Sequence, residues 1–272
     1  RMCAAAEELE SAENFDVIGI SCGGPLDSRR GIILSPPNLP GWDEIRVVEY
    51  LEKRFGCRAY LQNDANACAV AEWKYGAGKG LSNVVFLTFG TGLGAGLILD
   101  GKLYSGATDT AGEVGHIRLG EYGPVGFGKS GSFEGFCSGG GIANLGRIYA
   151  QEAFQSGKCV SYCKNAEHMP KINAKEIAEL AQGGDADAKR VFDECGKKLG
   201  MGLSIIIDIL NPDAIILGSI YLRCENLLKD AALSVIEREA LLQPRTACKI
   251  VSAGLGEKLG DYAALSIAAM NL

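Results

Sequence analysis

Histidine is scarce in this chain: two in 272 residues, His116 and His168. The ten cysteines include no Cys-x-x-Cys. They are too sparse and irregular for a disulfide scaffold, and read as reduced thiols of a cytoplasmic protein. The nearest pair, Cys159 and Cys163, has no companion pair and no histidine at metal-ligand spacing, so no metal is expected there. Basic residues are outnumbered 27 to 33, and no basic stripe occurs, which argues against a nucleic-acid partner. No run is long and apolar enough to cross a membrane, and Met201–Leu210 reads as a short buried helix. The start carries no signal-peptide pattern. Repeats, heptads and low-complexity segments are lacking as well.

What is present is an ordinary globular balance, 47% hydrophobic and 22% charged, in a length suited to one large domain or two modest ones. Strands and helices alternate, which implies α/β layers. Strands are expected at Phe15–Ser21, Gly31–Leu34, Arg58–Leu61, Asp213–Gly218 and Cys248–Ser252. Helices are expected at Cys3–Ser11, Glu44–Phe55 with Asp43 as cap, from Asn63-Asp64 to Tyr75, and at Ser138–Gln155. Further helices are expected at Asn173–Gln182, Asp185–Leu210, Glu225–Glu239 and Gly260–Met270. Prolines make Ser35–Trp42 a loop.

Residues 84–101 stand out. An apolar strand enters a turn with glycine at 90, 92, 94 and 96, and a second apolar strand leaves toward an Asp100-Gly101 hairpin turn. Alternating glycines let a backbone approach an anion and point N–H groups at it, although a plain tight turn or bulge has the same composition. A strand follows instead of a helix, and no Gly-Lys-Ser/Thr appears, so neither a dinucleotide fold nor a Walker loop fits.

Polar residues keep this loop company. Asn63-Asp64 lies between a strand and a helix, where either side chain could cap the helix. A carboxylate at a strand's C-terminal end could equally serve as a general base. Glu113 precedes His116 by three residues, and Glu134 ends a glycine-rich run. His116 could be a hydrogen-bonded structural residue. Together these side chains could also bind the hydroxyls of a sugar.

In combination the chain resembles the ROK family of sugar kinases and related repressors. The resemblance lies in Leu61-Gln-Asn-Asp-Ala-Asn66, Phe86–Gly96, Ala111-Gly-Glu-Val-Gly-His116 and Gly131-Ser-Phe-Glu134. Gly24-Pro-Leu-Asp27 and Ser35-Pro-Pro-Asn38 match segments that wall that family's sugar site. The resemblance implies an actin/hexokinase-like ATPase fold with two ribonuclease-H-like α/β lobes around a cleft. The small lobe would hold 1–72 with 262–272, and the large lobe 73–261. Asp64 would be the catalytic base. Gly24, Asn38, Asn63, Glu113, His116 and Glu134 would surround a hexose. Gly90, Thr91, Gly92 and Gly94 would cradle the ATP phosphates, with Mg²⁺ offsetting their charge. Gly139, Gly140 and Gly218 would border the nucleoside. A homodimer is implied, with sugar and ATP as ligands. The hexoses would share hydroxyl contacts, leaving discrimination to loop shape.

Two departures from the family pattern carry expectations. Val125, Phe127 and Ser132 stand where many members have zinc-ligating cysteines, so no zinc is expected, and packing of Phe127 and Phe133 is expected to hold that loop. Residues 1–14 hold no Asp-x-Gly-Gly-Thr hairpin, the family's first phosphate loop. That implies an incomplete small lobe and weak or no kinase activity for these residues alone. The alternatives are a sugar-sensing transcription regulator of the same family and a sugar-binding homologue without catalysis.

Overall fold

The computed structural model describes residues 16–272. The helix expected at Cys3–Ser11 and the first-loop comparison over residues 1–14 lie outside the described residues.

Strand β1 (Val17–Cys22) leads into a small hairpin, β2 (Leu26–Asp27) and β3 (Ile32–Ile33), then helix α1 (Val47–Phe55), strand β4 (Arg58–Asn63) and helix α2 (Asp64–Tyr75). β1 and β4 pair in parallel, from Val17 opposite Arg58 to Cys22 opposite Asn63. Ile20, Leu26, Ile33, Val47, Leu51, Ala59 and Leu61 form the core of this layer. α1 begins at Val47 rather than Glu44, because Ile45 is held as an antiparallel bridge to Ile33 by two backbone bonds of 2.9 and 3.0 Å. Asp43 therefore caps nothing and accepts the Ser35 hydroxyl at 2.5 Å.

Three antiparallel strands follow: β5 (Val84–Phe89), β6 (Leu93–Leu99) and β7 (Lys102–Tyr104). Asp100 and Gly101 have φ of +49° and +70°, the conformation a two-residue Asp-Gly hairpin needs. A second small hairpin, β8 (Val125–Gly126) and β9 (Lys129–Ser130), precedes the short helix α3 (Phe133–Phe136). Then come α4 (Gly139–Gln155), α5 (Ala174–Gln182) and α6 (Ala186–Leu210), whose caps Ser138, Asn173 and Asp185 each accept a backbone N–H. Strand β10 (Ala214–Leu217), helices α7 (Ile220–Glu239) and α8 (Leu242–Ala247), strand β11 (Lys249–Ser252) and helix α9 (Leu259–Ala269) complete the chain. α7 starts five residues before the expected Glu225. Its backbone leaves helical geometry at Cys224 (φ −126°), so Glu225 opens only its second stretch.

The main sheet runs β11-β10-β5-β6-β7. Its largest core lies between this sheet and the helices α4 to α7. α2 and α9 share a further apolar cluster with one face of the sheet, through Ala67, Val70, Phe86, Ile98, Ile216, Ala263 and Ile267. Among the described residues no helix is long and apolar enough to cross a membrane.

Only residues 90–92 form the turn of the glycine hairpin; Gly94 and Gly96 belong to β6. Gly96 has a packing role. A methyl group there would sit 2.4 Å from Ala65 O and 2.6 Å from Ala69 Cβ, so its absence lets α2 lie on the strand.

Candidate active site

Asp64 is exposed at the first position of α2, directly after β4. The cap of α2 is Asn63, whose Oδ1 accepts the N–H groups of Ala65 (2.9 Å) and Asn66 (3.3 Å). Asp64 Oδ1 also takes the Ala65 N–H (2.8 Å). Beneath them, buried Gln62 accepts from Asn63 N (2.7 Å) and Asn66 Nδ2 (3.0 Å), which fixes the strand-to-helix corner. The Gly23-Gly24 turn faces this corner: a Cβ on Gly24 would lie 3.4 Å from Asn63 Nδ2, and one on Gly23 3.9 Å from Asp64 Oδ2. Asn38 is exposed on the turn closed by Leu39 N to Pro36 O, and among the described residues no hydrogen bond joins it to this corner.

Glu113 precedes a 3₁₀ turn, Val114–His116, after a loop docked on β6 by the bond from Ala95 N to Gly112 O (2.8 Å). Glu134 lies in the first turn of α3, capped by Ser132. Its Oε2 accepts the Leu93 N–H at 3.0 Å, so this carboxylate braces the glycine hairpin. Burial first, then the charges of Glu134 and Asp64, push the Glu113 carboxyl above its ordinary value, while His116 pulls it partly back. The four side chains thus share one electrostatic neighbourhood, although they come from three separate segments.

Against Glu134 lies the turn itself, where a Cβ on Gly92 would come 2.9 Å from Glu134 Oε2. Gly90 N donates to Gly92 O (3.0 Å), and Gly139 N donates to Gly90 O (2.8 Å). The N-terminus of α4, with Gly139 and Gly140, therefore abuts Gly90-Thr91. Gly218 N bonds Leu87 O (3.1 Å), and a Cβ on Gly90 would lie 3.5 Å from Ser219 Oγ, just before α7. The N-terminus of the long helix α4, the positive end of its dipole, thus meets the glycine turn, with the short first stretch of α7 beside it, an arrangement suited to phosphate. The Gly94 N–H is tied to Thr88 Oγ1 (3.1 Å) within the hairpin, as the Gly90 N–H is to Gly92 O.

The loop between His116 and Glu134 does not fit zinc. Val125 and Phe127 supply no donor, and Ser132 is buried, donating to Gly126 O (3.3 Å) while capping α3. The expected packing of Phe127 is overturned, since this ring is 75% exposed, whereas Phe133 is fully buried. Polar ties hold the loop: Arg118 Nη1 to Ser130 O (2.7 Å), Lys129 Nζ to His116 O (2.7 Å) and Ser130 Oγ to Gly123 O (3.0 Å).

Sequence reasoning missed Glu72, a fully buried carboxylate of α2. The signal for Glu72 was the one acid after Asp64 in an alanine-rich, inward-facing helix.

The sequence profile of the ROK family matches residues 4–270. A glucokinase of Thermotoga maritima is 31% identical over 219 residues, covering 80% of this chain and 68% of that protein. A xylose repressor of Caldicellulosiruptor bescii is 30% identical over 203 residues; the chain spans about half of it, 49%. The crystal structure of a ROK family glucokinase from Streptomyces griseus, in complex with glucose and AMPPNP, superposes with a TM-score of 0.80 and 30% identity. The match covers 99% of this chain and 86% of that one. With its actin/hexokinase-like ATPase fold, the chain belongs to the ROK family.

Proposed function

We propose that this chain carries the sugar and phosphate sites of an ATP-dependent hexose kinase of glucokinase type. One observation carries the proposal. Asn63 caps α2, which leaves the Asp64 carboxylate exposed at the end of β4, in reach of the Glu113, His116 and Glu134 neighbourhood. In this reading Asp64 takes the proton of a primary sugar hydroxyl as its oxygen attacks the γ-phosphorus of ATP, and ADP leaves. Gly24, Asn38, Asn63, Glu113, His116 and Glu134 surround the remaining hydroxyls. Thr91 and the Gly90–Gly92 turn face the phosphates, while Gly139, Gly140 and Gly218 border the nucleoside. Mg²⁺ bound with the nucleotide would offset phosphate charge. The lobes would divide as 1–72 with 262–272 against 73–261, and their approach would exclude water as the acceptor.

A sugar-sensing, non-catalytic role is the second reading, and the xylose repressor relative favours it. Asp64→Asn separates the two. A kinase loses about 10²- to 10⁴-fold in turnover, the usual contribution of a general base, while glucose affinity stays within a few-fold. In a sensor, glucose binding is equally unaffected and the wild type shows no glucose-dependent ADP release. A coupled ADP assay and glucose calorimetry on both chains decide between them.

A further inference from the structure

Phe127 stands where two costs meet. Hairpin β8–β9 closes through Phe127-Gly128, with φ of +43° and +73°. Such a turn favours Asn, Asp or Gly, and a bulky residue at positive φ is strained. The ring is also 75% exposed. Neither cost helps the hairpin, which glycine at 127 would close more easily. The ring's contact with His116 supplies a reason for both. It meets His116 edge-on, with centroids 6.5 Å apart and planes at 77°. The residue after the turn, Lys129, holds the His116 carbonyl, so the hairpin tip and the Glu113–His116 segment are fastened together.

We propose that Phe127 is the apolar wall of the sugar site, packing its face on the C–H face of a bound pyranose. This deepens, and rests on, the hexose reading above. Carboxylates and an imidazole bind hydroxyls around a sugar's rim, but none can cover the ring carbons. An aromatic face can, and it gains most from a pyranose whose hydroxyls are equatorial and whose axial positions carry C–H bonds.

Calorimetry with glucose and, separately, with AMPPNP tests this on the wild type, Phe127→Gly and Phe127→Trp. Phe127→Gly is expected to weaken glucose binding about 3- to 10-fold, the value of one aromatic contact, and to leave AMPPNP binding unchanged. Its melting temperature is expected to equal or exceed wild type, which separates a ligand contact from a structural one. Phe127→Trp is expected to keep glucose affinity and to change its fluorescence on glucose addition. Unchanged glucose affinity in Phe127→Gly overturns the proposal, as does a Phe127→Trp emission blind to glucose. A shift in sedimentation with glucose affinity intact assigns the ring to a contact between copies and also overturns it. A wild-type chain that binds no hexose overturns the hexose reading itself, and this inference with it.

Discussion

Glu113 experiences the charges of Glu134, Asp64 and His116, and its raised pKa has a consequence for stability. A carboxyl held up in the folded state keeps its proton over a pH range where the unfolded chain has lost it. Between those two values the native state binds more protons, so stability falls as pH rises through the window. Below the unfolded value both states are protonated and the penalty vanishes. Glu113→Gln removes the titration. Its melting temperature is expected to equal or exceed wild type at pH 7 and to converge on it near pH 4, as read by thermal unfolding across that range. The candidate site residues could be named from the chain because their types and order are distinctive. Which of Asn63 and Asp64 caps α2 was not, since both are competent caps, and only the observed bonds to Ala65 and Asn66 choose Asn63.

At the scale of elements, the contact between α2 and β6 sets the position of Asp64. The helix presents Ala65, Ala67, Ala69 and Ala71, all buried, and Gly96 allows the approach. Gly96→Ala places a methyl group inside van der Waals distance of Ala65 O. The expected cost is about 1–3 kcal/mol, as for other overpacked sites, measured by chemical denaturation. In the kinase reading proposed above, turnover falls with it, because the helix that shifts begins at Asp64. Strand and helix positions follow from period and turn chemistry, so the Asp100-Gly101 hairpin and the capped starts of α5 and α6 could be read directly. Two helix starts could not. Ile45 is claimed by a bridge to Ile33, and Ile220–Arg223 joins α7 across an irregular Cys224. In each case a partner elsewhere in the fold overrides local preference.

Across the whole molecule, Glu72 ties α2 to the segment that precedes α9. Its oxygens accept Ala77 N (2.8 Å), Gly254 N (3.0 Å) and Leu255 N (2.9 Å). Glu72→Ala would remove the shared acceptor of three backbone donors on exposed or half-buried residues, at a cost of about 1–3 kcal/mol. Glu72→Gln is expected to lose less, since its amide oxygen still accepts; denaturation midpoints of the two variants decide. Ser28 makes a second long-range tie, donating its N–H and hydroxyl to Asp109 at 2.8 and 3.0 Å. By itself the sequence determined the alternation of strands and helices, the glycine hairpin and the order of the carboxylate and histidine motifs. Each of these depends on neighbours within a few residues. Tertiary structure alone decided that Gly96 serves packing, that Phe127 faces outward beside His116, and that Glu72 binds donors 182 residues away. Such contacts depend on register and packing between distant segments, which no local pattern of side chains encodes.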